Sequence, residues 1–393
     1  MQRVYIISST RTPIGSFGGI FSGIPATKLG ATAIQGAISR AEVPHTEINE
    51  VFMGNVVSAN LGQAPAKQAS RYAEIPDNVP CTLINKVCAS GTKAIMLAAQ
   101  SIMLGQNEIT VAGGMENMSM IPYYIPKARF GYKYGSSELI DGLQKDGLAD
   151  AYDHSPMGIS ADNTAKKYDI SREEQDNYAI SSYKRAAEAT EKGWFKKEIT
   201  PVSVPQRKGV PLLVDTDEEF KKVKFEKIPH LRPAFTKDGT VTAANASTIN
   251  DGASALVLAG EEYVKANGLK PIAEVIAFAD AAVEPKWFTT APVPAAKKAI
   301  NKAKLSLDDI NLFEVNEAFS VVPLFFEKQY KIPHEKMNIF GGAVSLGHPL
   351  GASGARIVTT LINALQQSGS GEMGCASICN GGGGASSIIV KAM

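Results

Sequence analysis

Leu83-Ile84-Asn85-Lys86-Val87-Cys88-Ala89-Ser90-Gly91 is the stretch on which the fold turns. A strand-like run leads up to it, a small-residue turn follows, and an Ala-rich helical pattern continues through Leu104 before Ile109 to Gly114 closes on two glycines. The same plan returns near the other end of the chain. There, Met337 to Ser345 reads as a strand, Gly347 to Gly354 as a turn, the residues through Leu365 as a helix, and Cys375 to Gly384 as a strand ending in glycines. Two copies of one plan predict an internally duplicated α/β chain with largely buried strands, to which Val4 to Ile7 and Ala255 to Leu258 contribute further β-branched runs.

Between the copies lies a region of another character. Residues 120–248 carry aromatics, prolines, the charged run Asp215 to Lys227 and helical patches near Ala161 to Lys192, which predicts an inserted loop domain. The expected organisation is a first half of residues 1–119 and 249–271, the insert of residues 120–248, and a second half of residues 272–393.

Composition narrows the classes of function. The chain has 393 residues, with 40 Lys and Arg against 39 Asp and Glu, so no overall field points to nucleic acid or to a membrane surface, and anion recognition has to be local. Four cysteines, Cys81, Cys88, Cys375 and Cys379, are too few and too unevenly spaced for a disulfide framework, and a reducing compartment is expected. Met1 to Ile7 runs into a strand pattern rather than an Arg- and Ser-rich leader or an apolar signal, and Lys391-Ala392-Met393 is not a peroxisomal tail; the expected location is the cytosol.

Cys88 sits where a strand gives way to a helix, and the free N–H groups and dipole at a helix start are expected to lower a thiol's pKa. A small buried core cysteine is the commoner fate, and Cys81 fits that description. His348 lies in Gly347-His348-Pro349-Leu350-Gly351, and an imidazole near its ordinary pKa of about 6.5 is the natural base for a thiol. Cys379 opens Cys379-Asn380-Gly381-Gly382-Gly383-Gly384. Without a following Gly-Lys-Ser/Thr this is no P-loop, but glycine-rich backbone supplies oxyanion donors. Asn316 and Glu317 end an apolar run, where they hold a water or a side chain, or where Asn316 caps a helix. Cys375 and Cys379, four apart, lack the further ligands that a zinc site needs.

Val87-Cys88-Ala89-Ser90-Gly91, Asn316-Glu317-Ala318-Phe319, Gly347-His348-Pro349-Leu350-Gly351 and Cys379-Asn380-Gly381-Gly382-Gly383 together resemble, in order, the four active-site segments of the thiolase family, over essentially the whole chain. The resemblance implies duplicated βαβαβαββ halves in a five-layered α/β/α/β/α sandwich with a loop domain inserted in the first. It implies an acetyl-CoA C-acetyltransferase in which Cys88 becomes acetylated, His348 activates it and Cys379 moves a proton at C2 of a second acetyl-CoA. One oxyanion hole is then His348 Nε2 with a water held by Asn316, and the other is the N–H groups of Cys88 and Gly381.

Gly239 to Ser247 resembles the short-chain, biosynthetic branch. For coenzyme A, the resemblance implies contacts from Ser247, Met157, Ala318, Phe319, Leu231 and Phe235, with Tyr183, Lys222, Val223, Lys224 and Lys227 at the adenosine-phosphate end. A solvated face is the plainer reading of those lysines. No cofactor is implied for the chemistry. A potassium site occurs in some members, and Tyr183, Ala243, Ala244, Ala246 and Val344 match its ligand positions. Pro156-Met157-Gly158 departs from the His-Met-Gly of many relatives, which puts one pantetheine contact in doubt. Pro126 to Tyr134 resembles the loop used in tetramer assembly. No nucleic-acid or membrane partner is implied. A ketoacyl synthase or hydroxymethylglutaryl-CoA synthase would replace Cys379, and a non-catalytic acyl-CoA-binding module would need none of the four polar residues.

Overall fold

A computed structural model of the protein describes residues 2–393. The first half runs β1 (Val4–Arg11), α1 (Ala26–Ala41), β2 (Glu50–Gly54), α2 (Pro65–Tyr72), β3 (Cys81–Ile84), α3 (Ser90–Met103) and β4 (Ile109–Asn117). The inserted segment contributes α4 (Met157–Lys167) and α5 (Arg172–Glu191), after which β5 (Asn250–Gly260) completes the half. The second half repeats this order with β6 (Ala273–Ala282), α6 (Pro292–Ala303), β7 (Leu312–Val315), α7 (Val321–Tyr330), a one-turn α8 (Ala343–Leu346), α9 (Leu350–Ser368), β8 (Met373–Asn380) and β9 (Gly384–Ala392).

Strand order is β3-β2-β4-β5-β1 in the first half and β7-β8-β9-β6 in the second. The two sheets meet where β1 and β6 pair antiparallel at Tyr5 with Glu274 and Ile6 with Ala273. Within each sheet the strands that follow crossover helices are parallel, as β2 is to β3 and β4, while the closing hairpin β8–β9 is antiparallel. Helices α1 and α2 cover the outer face of the first sheet and α6 that of the second, while α3 and α9 pack together between the sheets, giving five layers.

Met337 to Ser345 departs from the expected strand: only Met337 bridges to Phe313, and the chain then turns into α8. Asn338 takes over the ladder's bonds, because its Oδ1 accepts from Val315 N at 2.7 Å while its Nδ2 donates to Val315 O at 2.8 Å. With φ of 44° at Asn338 and 81° at Gly341, the backbone cannot continue as an extended strand.

The middle layer brings the two helix starts together. A Cβ at Gly91 would lie 2.5 Å from Ala355 N, and one at Gly354 would lie 2.4 Å from Thr92 N, so only glycine lets α3 and α9 approach this closely. Thr92 Oγ1 seals the contact by donating to Gly354 O at 2.8 Å. Behind it, Ile95, Ala98 and Ile102 of α3 share a buried cluster with Val358, Leu361 and Ile362 of α9. Each fully buried branched side chain there contributes about 1.5–3 kcal/mol, set against the entropy of ordering it.

The insert is anchored by charge as well as packing. Fully buried Arg11 donates through Nη1 and Nη2 to Asp217 at 2.7 and 2.9 Å and through Nε to Glu198, so both insert carboxylates are neutralised from β1. Ser171 starts α5 with a capping box, its Oγ accepting from Glu174 N at 3.1 Å while Glu174 Oε2 accepts from Ser171 N at 2.6 Å.

Candidate active site

The β3–α3 turn holds Cys88 under constraint. Val87, a β-branched residue, takes φ of 47°, with its N–H given to Asn85 Oδ1 at 3.0 Å. Lys86 Nζ reaches across to the second half, donating to Asp280 at 2.6 Å and to Ser386 Oγ at 2.8 Å. Burial opposes it, but the bonds from Lys86, Lys93 and Ser386 hold the Asp280 carboxyl at about 2. The Cys88 loop is thereby pinned to the opposite sheet.

Burial pushes the Cys88 thiol up to about 12, against the opposing pull of the Gly381 and Cys88 backbone N–H groups. The expected helix-start effect is overturned: desolvation of a thiolate in a closed pocket outweighs a dipole whose first helical residue, Ser90, lies two positions further on.

His348 is held on three sides. Its N–H donates to Asn250 Oδ1 at 2.9 Å, its Nδ1 lies 2.7 Å from Ser353 Oγ, and Gly351 N three residues on donates to Glu116 at 2.8 Å. Nε2 is buried without a hydrogen-bond partner among the described residues. Burial, and then the Arg356 charge, lowers the imidazole to about 3, so the expectation of a value near 6.5 is also corrected. The resting pair is a neutral thiol and a neutral imidazole.

Cys379 lies at the end of β8, wholly buried, and its thiol is raised well above the ordinary value by burial and then by nearby Cys88. Asn316 does not cap a helix, since α7 begins at Val321. Its N–H donates to Ser377 O at 2.9 Å, and its Nδ2 is a buried donor without a partner among the described residues. Glu317 serves the fold instead, accepting from Tyr178 Oη at 3.1 Å, Ser182 Oγ at 2.7 Å, Asn338 Nδ2 at 3.0 Å and Val344 N at 3.0 Å, which locks α5 onto the second half. A Cβ built at Gly381 would stand 3.6 Å from Val87 Cγ1 and 3.7 Å from Met157 Cε, so three separate segments converge on one mouth. No group of three His, Cys, Asp or Glu among the described residues could hold a metal ion.

A cleft of about 310 Å³ gathers Tyr183, Lys222, Val223, Lys224, Lys227, Leu231, Ala243 and Ala244 with Glu219 and Thr248. Phe235 packs edge-on against Phe319 at 6.1 Å, over the backbone of Gly158 where a Cβ would clash, and Ser247 N donates to Ala318 O at 3.0 Å. Of the remaining potassium-matched residues, Val344 packs against Tyr183, and Ala246 bridges to Phe319. A larger cavity, about 780 Å³ around Asp162, Lys166 and Thr236, is lined by none of these residues. Sequence reasoning missed Ser353, Glu116, Asn250 and Glu219; only Ser353, five residues after His348, carried a local signal.

The fold is that of an acyl-transfer enzyme, and the chain belongs to the thiolase family. The family model described as thiolase, N-terminal domain matches residues 4–262, and that described as thiolase, C-terminal domain matches residues 269–392. The acetyl-CoA acetyltransferase of Schizosaccharomyces pombe is 53% identical over 389 residues, covering 99% of this chain and 98% of its own. The mitochondrial acetyl-CoA acetyltransferase of Rattus norvegicus is 53% identical over 392 residues, covering 100% and 91%. Among solved structures, the Acat5 thiolase from Ascaris suum in complex with coenzyme A superposes with a TM-score of 0.95 at 48% identity, each chain covered fully. The Bacillus anthracis acetyl-CoA acetyltransferase superposes with a TM-score of 0.97 at 39% identity, covering 100% of this chain and 99% of that one.

Proposed function

We propose that this chain is an acetyl-CoA C-acetyltransferase, joining two acetyl-CoA to acetoacetyl-CoA and CoA and running the reverse thiolysis. The observation that carries the reading is the pair of buried cysteines beside the Gly381 backbone, with two buried side-chain nitrogens on the same site that lack partners among the described residues, His348 Nε2 as proton acceptor and Asn316 Nδ2 as donor.

Cys88 attacks the thioester carbonyl as His348 Nε2 takes the thiol proton, and the N–H groups of Cys88 and Gly381 receive the oxyanion. Cys379 gives its proton to the departing CoA sulfur, leaving acetyl-Cys88 and a Cys379 thiolate. That thiolate, unusually basic because it is buried, removes the C2 proton of the second acetyl-CoA. The enolate oxygen is met by protonated His348 and by a water on Asn316 Nδ2. The enolate carbon then attacks acetyl-Cys88, and His348 returns its proton to the released sulfur. Coenzyme A is substrate and product, and the chemistry draws on no cofactor.

Lysines of the 310 Å³ cleft pair with the phosphates of CoA, and Phe235, Phe319 and Met157 flank its pantetheine. Pro156 has no side-chain donor, so that departure from the family removes a polar contact. A potassium ion would be held by Tyr183 and the carbonyls of Ala243, Ala244, Ala246 and Val344, and the negative charge of Glu219 and Glu317, which acts on the Tyr183 phenol, supports a cation there. The exposed aromatics Phe130, Tyr132 and Tyr134 support assembly as a homotetramer, which light scattering tests. Four free thiols among the described residues support a reducing compartment, the cytosol, which cell fractionation tests.

The deciding experiment is the initial rate of CoA-dependent cleavage of acetoacetyl-CoA beside longer 3-ketoacyl-CoAs, with potassium or sodium as the counter-ion. A steep preference for acetoacetyl-CoA is expected. Comparable rates on long chains overturn the short-chain reading, and no turnover on any substrate overturns the enzyme.

A further inference from the structure

Asn250 is fully buried at the start of β5, and its amide is used on both sides. Oδ1 accepts from His348 N at 2.9 Å and from Thr248 Oγ1 at 2.8 Å. A peptide N–H can only donate, so the amide orientation is settled, and Nδ2 faces Gly15 O at 3.1 Å and Glu219 Oε1 at 3.3 Å. The same side chain lies on Gly347, whose φ is 113° and where a Cβ would come within 2.4 Å of Asn250 Cγ. Asn250 thus fixes the peptide that aims the imidazole, and one hydrogen bond joins it to Glu219. Glu219 lines the lysine-rich cleft and lies 3.6 Å from Lys222 Nζ.

We infer that Glu219 and Asn250 are positioning residues that couple occupation of the lysine cleft by the phosphorylated nucleotide end of the thioester to the placement of His348. The inference rests on the coenzyme A reading above. With the cleft empty, Glu219 divides its charge between Lys222 and Asn250 Nδ2. A phosphate that draws Lys222 away leaves Asn250 as the carboxylate's remaining partner, and the stronger charge-assisted bond firms the amide against His348. Binding at the remote end is thereby expressed in the chemical step as well as in affinity.

The test is the saturating rate constant for acylation of Cys88, measured by rapid quench with acetyl-CoA and with S-acetylpantetheine, which lacks the phosphorylated nucleotide. In the unaltered protein acetyl-CoA is expected to acylate at least about tenfold faster at saturation, a modest share of what orientation supplies. In Glu219→Ala and in Glu219→Gln, which keeps the shape but loses the charge, the ratio of the acetyl-CoA rate to the S-acetylpantetheine rate falls to about one. A ratio of one in the unaltered protein, an undiminished ratio in both variants, or an equal loss on both thioesters overturns the coupling. Failure of the unaltered protein to be acylated by either thioester overturns the proposed function instead.

Discussion

His348 Nδ1 lies 2.7 Å from Ser353 Oγ, and that hydroxyl in turn donates to Pro349 O at 2.9 Å. A carbonyl only accepts, so the single hydroxyl proton is taken and the imidazole must donate from Nδ1. Nε2 is then the bare nitrogen, buried and directed to receive a proton. Ser353→Ala removes the acceptor that selects this tautomer. Acylation of Cys88 should slow about tenfold to a hundredfold, part of the ~10²–10⁴ that a general base contributes, and rapid-quench kinetics reads the change.

The neutral resting pair has a signature in pH. With the thiol near 12 and the imidazole near 3, the first proton transfer is internal, and neither group titrates in the middle of the range. Any inflection in kcat/KM for Cys88 acylation between about pH 5 and 8 should then belong to Glu116, which burial raises to about 7 beside Gly351. An inflection that persists in Glu116→Gln would show an imidazole titrating as if exposed.

Stability carries the same shift. The folded-state value for His348 lies below the ordinary 6.5, so between 6.5 and about 3 the unfolded chain binds a proton that the folded one refuses. The contribution is complete above pH 6.5 and is lost as the pH falls toward 3. Denaturant unfolding of His348→Asn across this window should show a flatter acid limb than the unaltered protein.

The two cysteines are separable. Cys88→Ala should take up no label from radioactive acetyl-CoA, whereas Cys379→Ala should acetylate Cys88 yet lose condensation by about 10²–10⁴. Undiminished condensation by Cys379→Ala would remove it from the proton path.

The α3–α9 crossing is a steric requirement. Gly91→Ala places a methyl 2.5 Å from the Ala355 backbone nitrogen, which cannot swing aside as a flexible side chain would. A loss of about 1–3 kcal/mol or more is expected in thermal unfolding, with a fall in activity as the Cys88 and His348 turns are forced apart.

Cys88, His348, Cys379 and Asn316 stood out as candidates because each stands in a short, unusual window: glycines and small residues beside a strand end, where a backbone turns tightly and exposes N–H groups. The duplication was legible for the same reason, as strand, turn and helix signals span only a few residues. Glu116 and Gly351 stand 235 positions apart and Asn250 and His348 98 apart, and neither partner advertises the other. The missing strand at Met337 to Ser345 escaped because Asn338's side chain, rather than any apolar pattern, makes the ladder bonds there. Local residue order determined which reactive side chains the chain carries and on which turns. The protonation states, the tautomer of His348 and the line from the lysine cleft to the imidazole were decided only by the tertiary structure, because desolvation and hydrogen bonding sum over neighbours that folding alone brings together.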